Sequence, residues 1–356
     1  MKASESNPNY PSKVREMTNY TIREIKKVCK DIGPRPSGEE NERKAQDYVA
    51  DSMSKVADSV VKEKFELHPK AFMGWVPLDV ILMTISVVLT LLSYFDVLPS
   101  ASTAFSVVSV VLTSLAIIFT FFEFLLYKKF LDPFFPKRET YNVVCTRKAA
   151  GETKRRIVFS GHIDSAYEWY FTHLGGGKLL TTMIALAFGA IAITLAVTIV
   201  SFFDVPNGVR VTAIVVLFVC LIPILMCSKF VNWKLCVPGA NDNLTGVFAS
   251  MSVLRYMAAN DIRFENTEVV CVSMACEEAG LRGAKEYVKK HCGEDDVETV
   301  FVGTDTLRDF DDMGVYNKDM TGTVKLDKQA AAMVKHASDI AGYNLPYSSV
   351  CLLYTS

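Results

Sequence analysis

The chain has 356 residues, a formal net charge of −1 and a mean hydropathy of +0.22. This length allows one large domain or two of ordinary size, and the near-neutral charge argues against nucleic acid as a partner. The positive mean hydropathy is unusual for a soluble enzyme, and four long apolar runs account for it.

The two ends of the chain carry different signals. Residues 1–13 are polar and predict no signal peptide. The nine cysteines form no CxxC pair, a pattern typical of reduced thiols. Residues 351–356 resemble the translated end of a sequencing adaptor, so we predict that they are an artefact and that the natural chain continues beyond Val350.

The N-terminal part predicts two helices and a strand. Residues 12–31 have helical spacing of apolar positions, and a second helix is expected from Ser37 to about Asp58. The sequence Ser37-Gly38-Glu39-Glu40 fits a capping box at the start of this second helix. Residues 59–67 then alternate as a strand does.

Two pairs of apolar runs predict two transmembrane hairpins, because each run approaches the 20 or so residues that a span needs. They are 80–95 with 97–122, and 179–203 with 211–228. Each pair returns the chain to the side that it left, so the polar segments can form one domain. Residues 128–178 carry ten Lys or Arg and the tip loops almost none, which predicts a cytoplasmic polar domain.

The remaining polar sequence alternates strands with helices, as in an α/β fold with a mostly parallel, mixed sheet flanked by helices. Strands are expected at 141–146, 156–161, 267–275 and 298–303, and helices at 244–259, 281–291 and 326–341. Ligands of such sheets gather at the carboxyl ends of the strands. His162, the pair Glu277 and Glu278, and Asp305 fall at strand ends, and Asp242 lies in a turn before a helix.

These residue types suit a divalent metal, and the histidine favours zinc. A carboxylate that bridges two ions helps them to activate a shared water. Asp164 is spaced to reach back to the His162 ring and fix its tautomer. Of the neighbours Glu277 and Glu278, one can bind metal while the other moves a proton.

The polar segments resemble the di-zinc exopeptidases of metallopeptidase family 28, typified by bacterial leucyl aminopeptidase and aminopeptidase Y. The resemblance covers nearly all of the polar sequence, and its motifs occur in the family's order. The motifs are Gly33-Pro34-Arg35-Pro36-Ser37-Gly38, Tyr141-Asn142-Val143-Val144, Gly161-His162-Ile163-Asp164-Ser165, Pro238-Gly239-Ala240-Asn241-Asp242-Asn243, Glu277-Glu278-Ala279-Gly280-Leu281-Arg282-Gly283-Ala284 and Thr304-Asp305.

The resemblance implies a zinc-exopeptidase-like fold, two Zn²⁺ ions and a role for each candidate residue. By this resemblance Asp242 bridges the ions, His162 and Asp305 complete one set of protein ligands, Glu278 binds the other ion, Glu277 is the general base and Asp164 supports His162.

The family also has a second histidine ligand well after the position of Asp305. His173, His291 and His336 lie in no matching motif, and His336 is expected on the surface of a helix. We therefore expect the missing ligand beyond Val350 and an incomplete second metal site in this sequence.

The sequence thus predicts a zinc-dependent, membrane-anchored aminopeptidase that acts on peptides. The domain would comprise residues 1–75, 128–178 and 229–350, with hairpins at 76–127 and 179–228. Three alternatives are another amide-processing enzyme (a carboxypeptidase or a single-zinc glutaminyl cyclase), an inactive binding domain and a transporter. A transporter is disfavoured because the apolar runs contain no internal charged residue.

Overall fold

The computed structural model describes residues 2–6, 9–293, 296–318 and 325–348; the adaptor-like residues 351–356 lie outside these ranges. The helices within them are α1 Ala3–Ser6, α2 Tyr10–Asp31, α3 Glu40–Met53, α4 Ala71–Tyr94, α5 Ser102–Phe119, α6 Tyr170–Val200, α7 Asn207–Met226, α8 Thr245–Ala259, α9 Arg282–His291 and α10 Lys328–Ala341. The strands are β1 Ser59–Leu67, β2 Arg138–Arg147, β3 Arg155–His162, β4 Tyr167–Trp169, β5 Val231–Cys236, β6 Thr267–Met274, β7 Glu298–Gly303, β8 Val315–Tyr316 and β9 Tyr347–Ser348.

The chain divides into two compact units. The α/β unit comprises the described parts of residues 1–69, 136–167 and 234–348, and the helical unit comprises Lys70–Phe135 and Glu168–Trp233. The helical unit extends beyond the predicted hairpins 76–127 and 179–228, because α4 and α6 begin in the less apolar residues that precede the runs.

The α/β unit is built on a five-stranded sheet in the order β1-β2-β6-β3-β7. β3 is parallel to both β6 and β7, whereas β2 is antiparallel to β1 and β6. The predicted α/β fold with a mixed sheet is therefore confirmed, and its three parallel strands lie side by side.

Alternate residues of the central strands enter two apolar cores, as the two-residue repeat of a strand requires. On one face, Val143 and Cys271 belong to the core that helices α2, α3 and α8 complete. On the other face, Val144 and Val272 pack in a cluster with Tyr287 of α9. Helices on both faces hold the strand ends in fixed positions.

The start of α3 differs from the prediction. The helix begins at Glu40, and Glu39 at its N-cap makes no side-chain capping bond, so the predicted capping box is wrong. The Ser37 hydroxyl instead donates to Asp164 Oδ2 at 2.7 Å. A hydrogen bond to an ionised carboxylate is about twice as strong as one between neutral groups, which favours this contact.

The helical unit contains four helices that are long and apolar enough to cross a membrane, as predicted. A π-helical segment, Thr120–Leu125, continues α5. Helix α6 is interrupted at Gly175 and Gly176, ahead of its apolar run. Hydroxyl groups link the helices in the interior: Ser86 Oγ lies 2.7 Å from Thr113 Oγ1, and Thr90 Oγ1 lies 3.0 Å from Thr198 Oγ1.

Two carboxyl groups lie inside these helices. Asp79 falls within α4, and Glu123 falls within the π-helical segment; both are buried. Both lie just outside the predicted apolar runs 80–95 and 97–122. The apolar runs are free of charge, but the helices are longer than the runs.

Candidate metal centre

The three parallel strands bring four candidate residues to one edge of the sheet. His162 is the last residue of β3, Glu277 and Glu278 follow β6, and Asp305 follows β7. Since parallel strands end at the same edge, residues far apart in the sequence meet there.

A close approach of two backbones delivers Asp242 to the same place. The turn Ala240–Leu244 precedes α8, and a Cβ on Gly161 would lie 2.4 Å from the carbonyl carbon of Gly246. Only glycine therefore allows β3 and α8 to pack this closely. The result is a separation of 3.0 Å between His162 Nε2 and Asp242 Oδ1.

The ligand atoms are spaced as a zinc ion requires. His162 Nε2 lies 3.6 Å from Asp305 Oδ2 and 3.8 Å from Glu277 Oε2. Ligands about 2.0–2.2 Å from one tetrahedral zinc lie roughly 3.3–3.6 Å from each other, so the atoms need only small shifts to bind. Two overlapping groups with atoms within 4.8 Å fit a metal: His162 with Asp242 and Asp305, and His162 with Glu277 and Glu278.

Burial and repulsion by neighbouring carboxylates raise the pKa values of Glu277 and Glu278. Burial raises the pKa of Glu277 to about 7, and burial together with the Asp242 charge raises the pKa of Glu278 well above its usual value. Burial alone would lower the pKa of His162, but the facing carboxylates, Glu277 first, raise it overall. A cation among these groups would remove the repulsion, which is a further sign that the donor set fits a metal.

The C-terminal third of the chain matches a known family. Residues 226–347, which include the four carboxylate residues Asp242, Glu277, Glu278 and Asp305, match the model of Peptidase family M28. Over this segment the chain is similar to peptidase family M28. A comparison with curated protein sequences found no match.

Solved structures with a similar fold include two aminopeptidases and a cyclase. BSAP, a zinc aminopeptidase from Bacillus subtilis, is 12% identical with a TM-score of 0.48, and the match covers 93% of this chain and 79% of that one. The aminopeptidase from Aneurinibacillus sp. strain AM-1 is 12% identical with a TM-score of 0.49, covering 92% and 79%. Fimbriiglobus ruber glutaminyl cyclase is 11% identical with a TM-score of 0.43, covering 94% and 83%.

Asp164 joins the M28 segment to β3. Its Oδ1 lies 3.3 Å from His162 Nδ1 and accepts the Glu277 N–H at 3.0 Å, while its Oδ2 accepts the Glu278 N–H at 3.0 Å. Burial would raise the pKa of Asp164, but the hydrogen bond and charge of His162 outweigh it and lower that pKa. The predicted contact with the His162 ring is present, and Asp164 also positions the backbone of both glutamates.

Arg35 was not singled out from the sequence, although it lies in one of the quoted motifs. Its buried guanidinium donates to the carbonyl oxygens of Ile163 at 2.6 Å, Gly33 at 2.8 Å, Pro238 at 2.9 Å and Gly239 at 2.9 Å. It therefore ties the loop after β3 to the loop that precedes Asp242. A stretch of Gly and Pro around an arginine was the only sequence signal, and it does not reveal which carbonyls converge.

Gly239 has a left-handed backbone with a φ of +60° at this junction, and a Cβ there would lie 2.6 Å from Arg35 Nη2. Glycine is thus required both by the conformation and by the space.

Glu42 is a second buried residue that sequence reasoning missed. Its carboxylate accepts the backbone N–H of Cys276 at 2.8 Å, that of Gly38 at 3.0 Å and the Thr140 hydroxyl at 2.6 Å. Burial raises its pKa to about 7. Glu42 thereby holds the backbone one residue before Glu277. The sequence does not indicate this role, because a glutamate within a helix is ordinarily at the surface.

The other histidines take no part in the candidate centre within the described residues. His336 is exposed on α10, as predicted, and His291 Nε2 lies 2.9 Å from Glu63 Oε1. His173 is exposed in the helical unit. His162 is the histidine common to both metal-binding groups found in the described ranges.

Proposed function

We propose that the chain is a zinc-dependent, membrane-anchored exopeptidase of the aminopeptidase type. The observation that carries the proposal is the convergence of one buried imidazole with four carboxylates at the carboxyl edge of the sheet, in a chain whose 226–347 segment is similar to a peptidase family. His162, Asp242, Glu278 and Asp305 are proposed as metal ligands, and Glu277 as the general base.

Charge balance supports two ions rather than one. Asp242, Glu277, Glu278 and Asp305 carry four negative charges when ionised, and two Zn²⁺ ions would balance them. One ion would leave an excess of two negative charges around the buried His162. Asp242 is proposed as the bridging ligand because it belongs to the group with Asp305 and its charge also acts on Glu278.

Zinc bound here would supply Lewis acidity, which lowers the pKa of a water and polarises a peptide carbonyl. Glu277 would accept a proton from the attacking water and then donate it to the leaving amine nitrogen. A carboxylate that first accepts and then donates a proton can do both. Asp164 keeps the Nδ1 side of His162 occupied, so Nε2 faces the carboxylates.

The open side of the centre supports binding of a peptide amino terminus. The side chains of Asp242 and Asp305 are 53% and 54% exposed, whereas that of His162 is 4% exposed. A peptide can reach the centre from this side, and its free amino terminus would be held at the metal pair.

The experiment compares the wild-type chain with Glu277→Gln in mild detergent. We expect bound zinc in both proteins and a 10²–10⁴-fold loss of aminoacyl-anilide hydrolysis, roughly the worth of a general base, in the variant. The matched control is Glu152→Gln, whose side chain is 82% exposed and which should behave as wild type.

Other outcomes separate the alternatives. Cyclisation of N-terminal glutamine with one zinc per chain would favour a glutaminyl cyclase, and cleavage at the carboxyl end of peptides would favour a carboxypeptidase. Absence of zinc, together with equal behaviour of wild type and Glu277→Gln, would contradict the enzyme proposal in favour of a binding domain.

We also propose that the four apolar helices anchor the chain in a lipid bilayer with the α/β unit in the cytoplasm. The exposed Cys292 of that unit offers a test. A membrane-impermeant maleimide should label it only after the cells are permeabilised, with Cys292→Ser as the control. Labelling of intact cells that disappears in Cys292→Ser would contradict the orientation.

A further inference from the structure

We propose that the helical unit binds an apolar molecule that ends in a single hydroxyl group, and that Asp79 and Trp75 recognise that hydroxyl. The site is a cavity within the helical unit, lined by residues of α4, α6 and α7, of the π-helical segment and of residues 227–230. This site is independent of the proposed peptidase activity.

The cavity is small and mostly apolar. Its volume is about 80 Å³, room for several water-sized groups, and one side is open, so a longer apolar molecule would extend out of it. Its walls are mostly apolar, with Met83, Phe124, Phe188 and Ile191 among them. An apolar chain or ring system of comparable size would remove these side chains from contact with water or lipid.

Two buried polar atoms in the cavity wall have no protein partner. Asp79 is 5% exposed; its Oδ2 accepts the Thr120 hydroxyl at 2.8 Å, whereas its Oδ1 has no hydrogen-bond partner. Trp75 is 8% exposed, and its indole Nε1 also has no partner. A buried polar atom without a partner destabilises the fold, so such atoms call for an explanation.

The two side chains lie on the same face of one helix. Residues four apart in an α-helix are neighbours, with Cβ atoms about 5–6 Å apart, so Trp75 and Asp79 can contact the same small group. One side chain offers a hydrogen-bond donor and the other an acceptor. After a rotation of the Asp79 carboxyl group, one ligand atom can satisfy both.

The chemistry of the pair selects a hydroxyl. A hydroxyl oxygen accepts the Trp75 N–H and donates its own proton to Asp79 Oδ1, so that both atoms are satisfied. An ammonium group has donors only and would leave the Trp75 N–H unpaired. A ligand carboxylate has acceptors only and cannot donate to Asp79 Oδ1. Among the described residues that line the cavity, none is a lysine, arginine or histidine that would pair with Asp79.

The test uses the full chain in phosphatidylcholine nanodiscs and a hexadecanol that carries a mid-chain diazirine and a terminal alkyne. We expect photolabelling of peptides from α4 or from residues 184–191. Unlabelled hexadecanol should compete about tenfold better than hexadecyl methyl ether, because the ether cannot donate to Asp79.

Variants assign the recognition to the two residues. Asp79→Leu should abolish the tenfold preference for the alcohol, and Trp75→Phe should reduce it about fivefold. The control is Asp204→Leu, an exposed aspartate of the same unit, which should keep the full preference. Trp75→Phe keeps an aromatic ring in the wall and provides the test even if Asp79→Leu fails to fold.

Three results would overturn the proposal. Equal competition by the alcohol and the ether in the wild-type chain would mean that hydrocarbon fills the cavity without polar recognition. Stronger competition by hexadecylamine than by hexadecanol would identify a cation site instead. An unchanged alcohol preference in both Asp79→Leu and Trp75→Phe would remove the two residues from recognition.

Discussion

The α/β unit and the helical unit bury polar side chains in different ways. In the α/β unit, buried ionisable groups near the candidate metal centre have several partners: Arg35 donates to four carbonyls, and Glu42 accepts from two backbone N–H groups and from the Thr140 hydroxyl. In the helical unit most buried polar groups are hydroxyls that pair with one another or with a carbonyl of their own helix.

The difference shows how each unit depends on its contacts. A charged group in the α/β unit joins loops that are distant in the sequence, so its removal leaves several buried atoms unpaired. A hydroxyl in a helix can donate to the carbonyl four residues earlier, as Thr90 does to Ser86 and Thr198 does to Thr194. Loss of one partner therefore leaves it with another. Asp79 is one of the buried carboxyl groups of the helical unit that depart from this pattern, and it motivates the cavity proposal.

The largest effect is expected from Arg35→Met. Loss of the buried guanidinium leaves four carbonyl oxygens without a donor and should reduce the stability of the α/β unit by about 3–5 kcal/mol. Native-state hydrogen exchange of β3 and β6 amides measures this. Arg15→Met, at an exposed position of α2, should change stability by less than about 0.5 kcal/mol. A loss below about 1 kcal/mol for Arg35→Met would mean that the α/β unit depends no more on its buried polar contacts than the helical unit does.

A smaller effect is expected from Asp164→Asn. An amide of the same shape has one acceptor oxygen, so it cannot accept both glutamate N–H groups while it also fixes the His162 ring. We expect zinc affinity to fall about 10–100-fold. Competition with a zinc-binding dye measures the affinity, and Asp261→Asn, at a fully exposed side chain, is the control. An unchanged affinity would show that Asp164 has only a structural role.

Ser86→Ala tests how much the stability of the helical unit depends on its hydroxyl contacts. The Ser86 hydroxyl contacts Thr113 Oγ1 and the Ser109 carbonyl, and such contacts between membrane helices average about 0.6 kcal/mol. All three tryptophans, Trp75, Trp169 and Trp233, lie in the helical unit, so their fluorescence reports its unfolding alone. A loss above about 2 kcal/mol would mean that this unit depends on its polar contacts as the α/β unit does.

The smallest effect concerns the surface of the α/β unit. Hydrogen bonds from Arg263 lower the pKa of Asp58 to about 2. Because the folded pKa lies below the unfolded value of about 3.9, this contact stabilises the fold fully above pH 4 and is lost as the pH falls through about 2.

Asp58→Asn should therefore be slightly less stable than wild type at pH 6, within the range of surface ion pairs, and the difference should vanish near pH 2. Hydrogen exchange of β1 and β2 amides from pH 2 to 6 measures it. A difference that persists at pH 2 would show that the Lys148 N–H contact of Asp58, rather than its charge, is responsible.

Much of the fold and the candidate site is predictable from the sequence. Strand and helix patterns predict elements such as β7, Glu298–Gly303, and α8, Thr245–Ala259, to within a residue, because the periodicity of apolar residues is a local property. The four apolar runs predict the helical unit for the same reason. The sequence predicts His162, Glu277, Glu278 and Asp305 at strand ends and Asp242 in a turn before a helix, and the structure brings these residues together. Their individual roles stay a proposal.

The tertiary structure alone decides what distant polar groups do. The local pattern gives Ser37 a capping role, but the fold places the Asp164 carboxylate beside its hydroxyl. No sequence pattern distinguishes Arg35 and Glu42, whose partners lie on loops that meet only in the folded chain. The apolar run predicts a helix that begins after Asp79, whereas α4 begins at Ala71. The periodicity of apolar residues is a property of neighbouring positions in the sequence. The partner of a buried charge, by contrast, is determined by segments that meet only when the chain has folded.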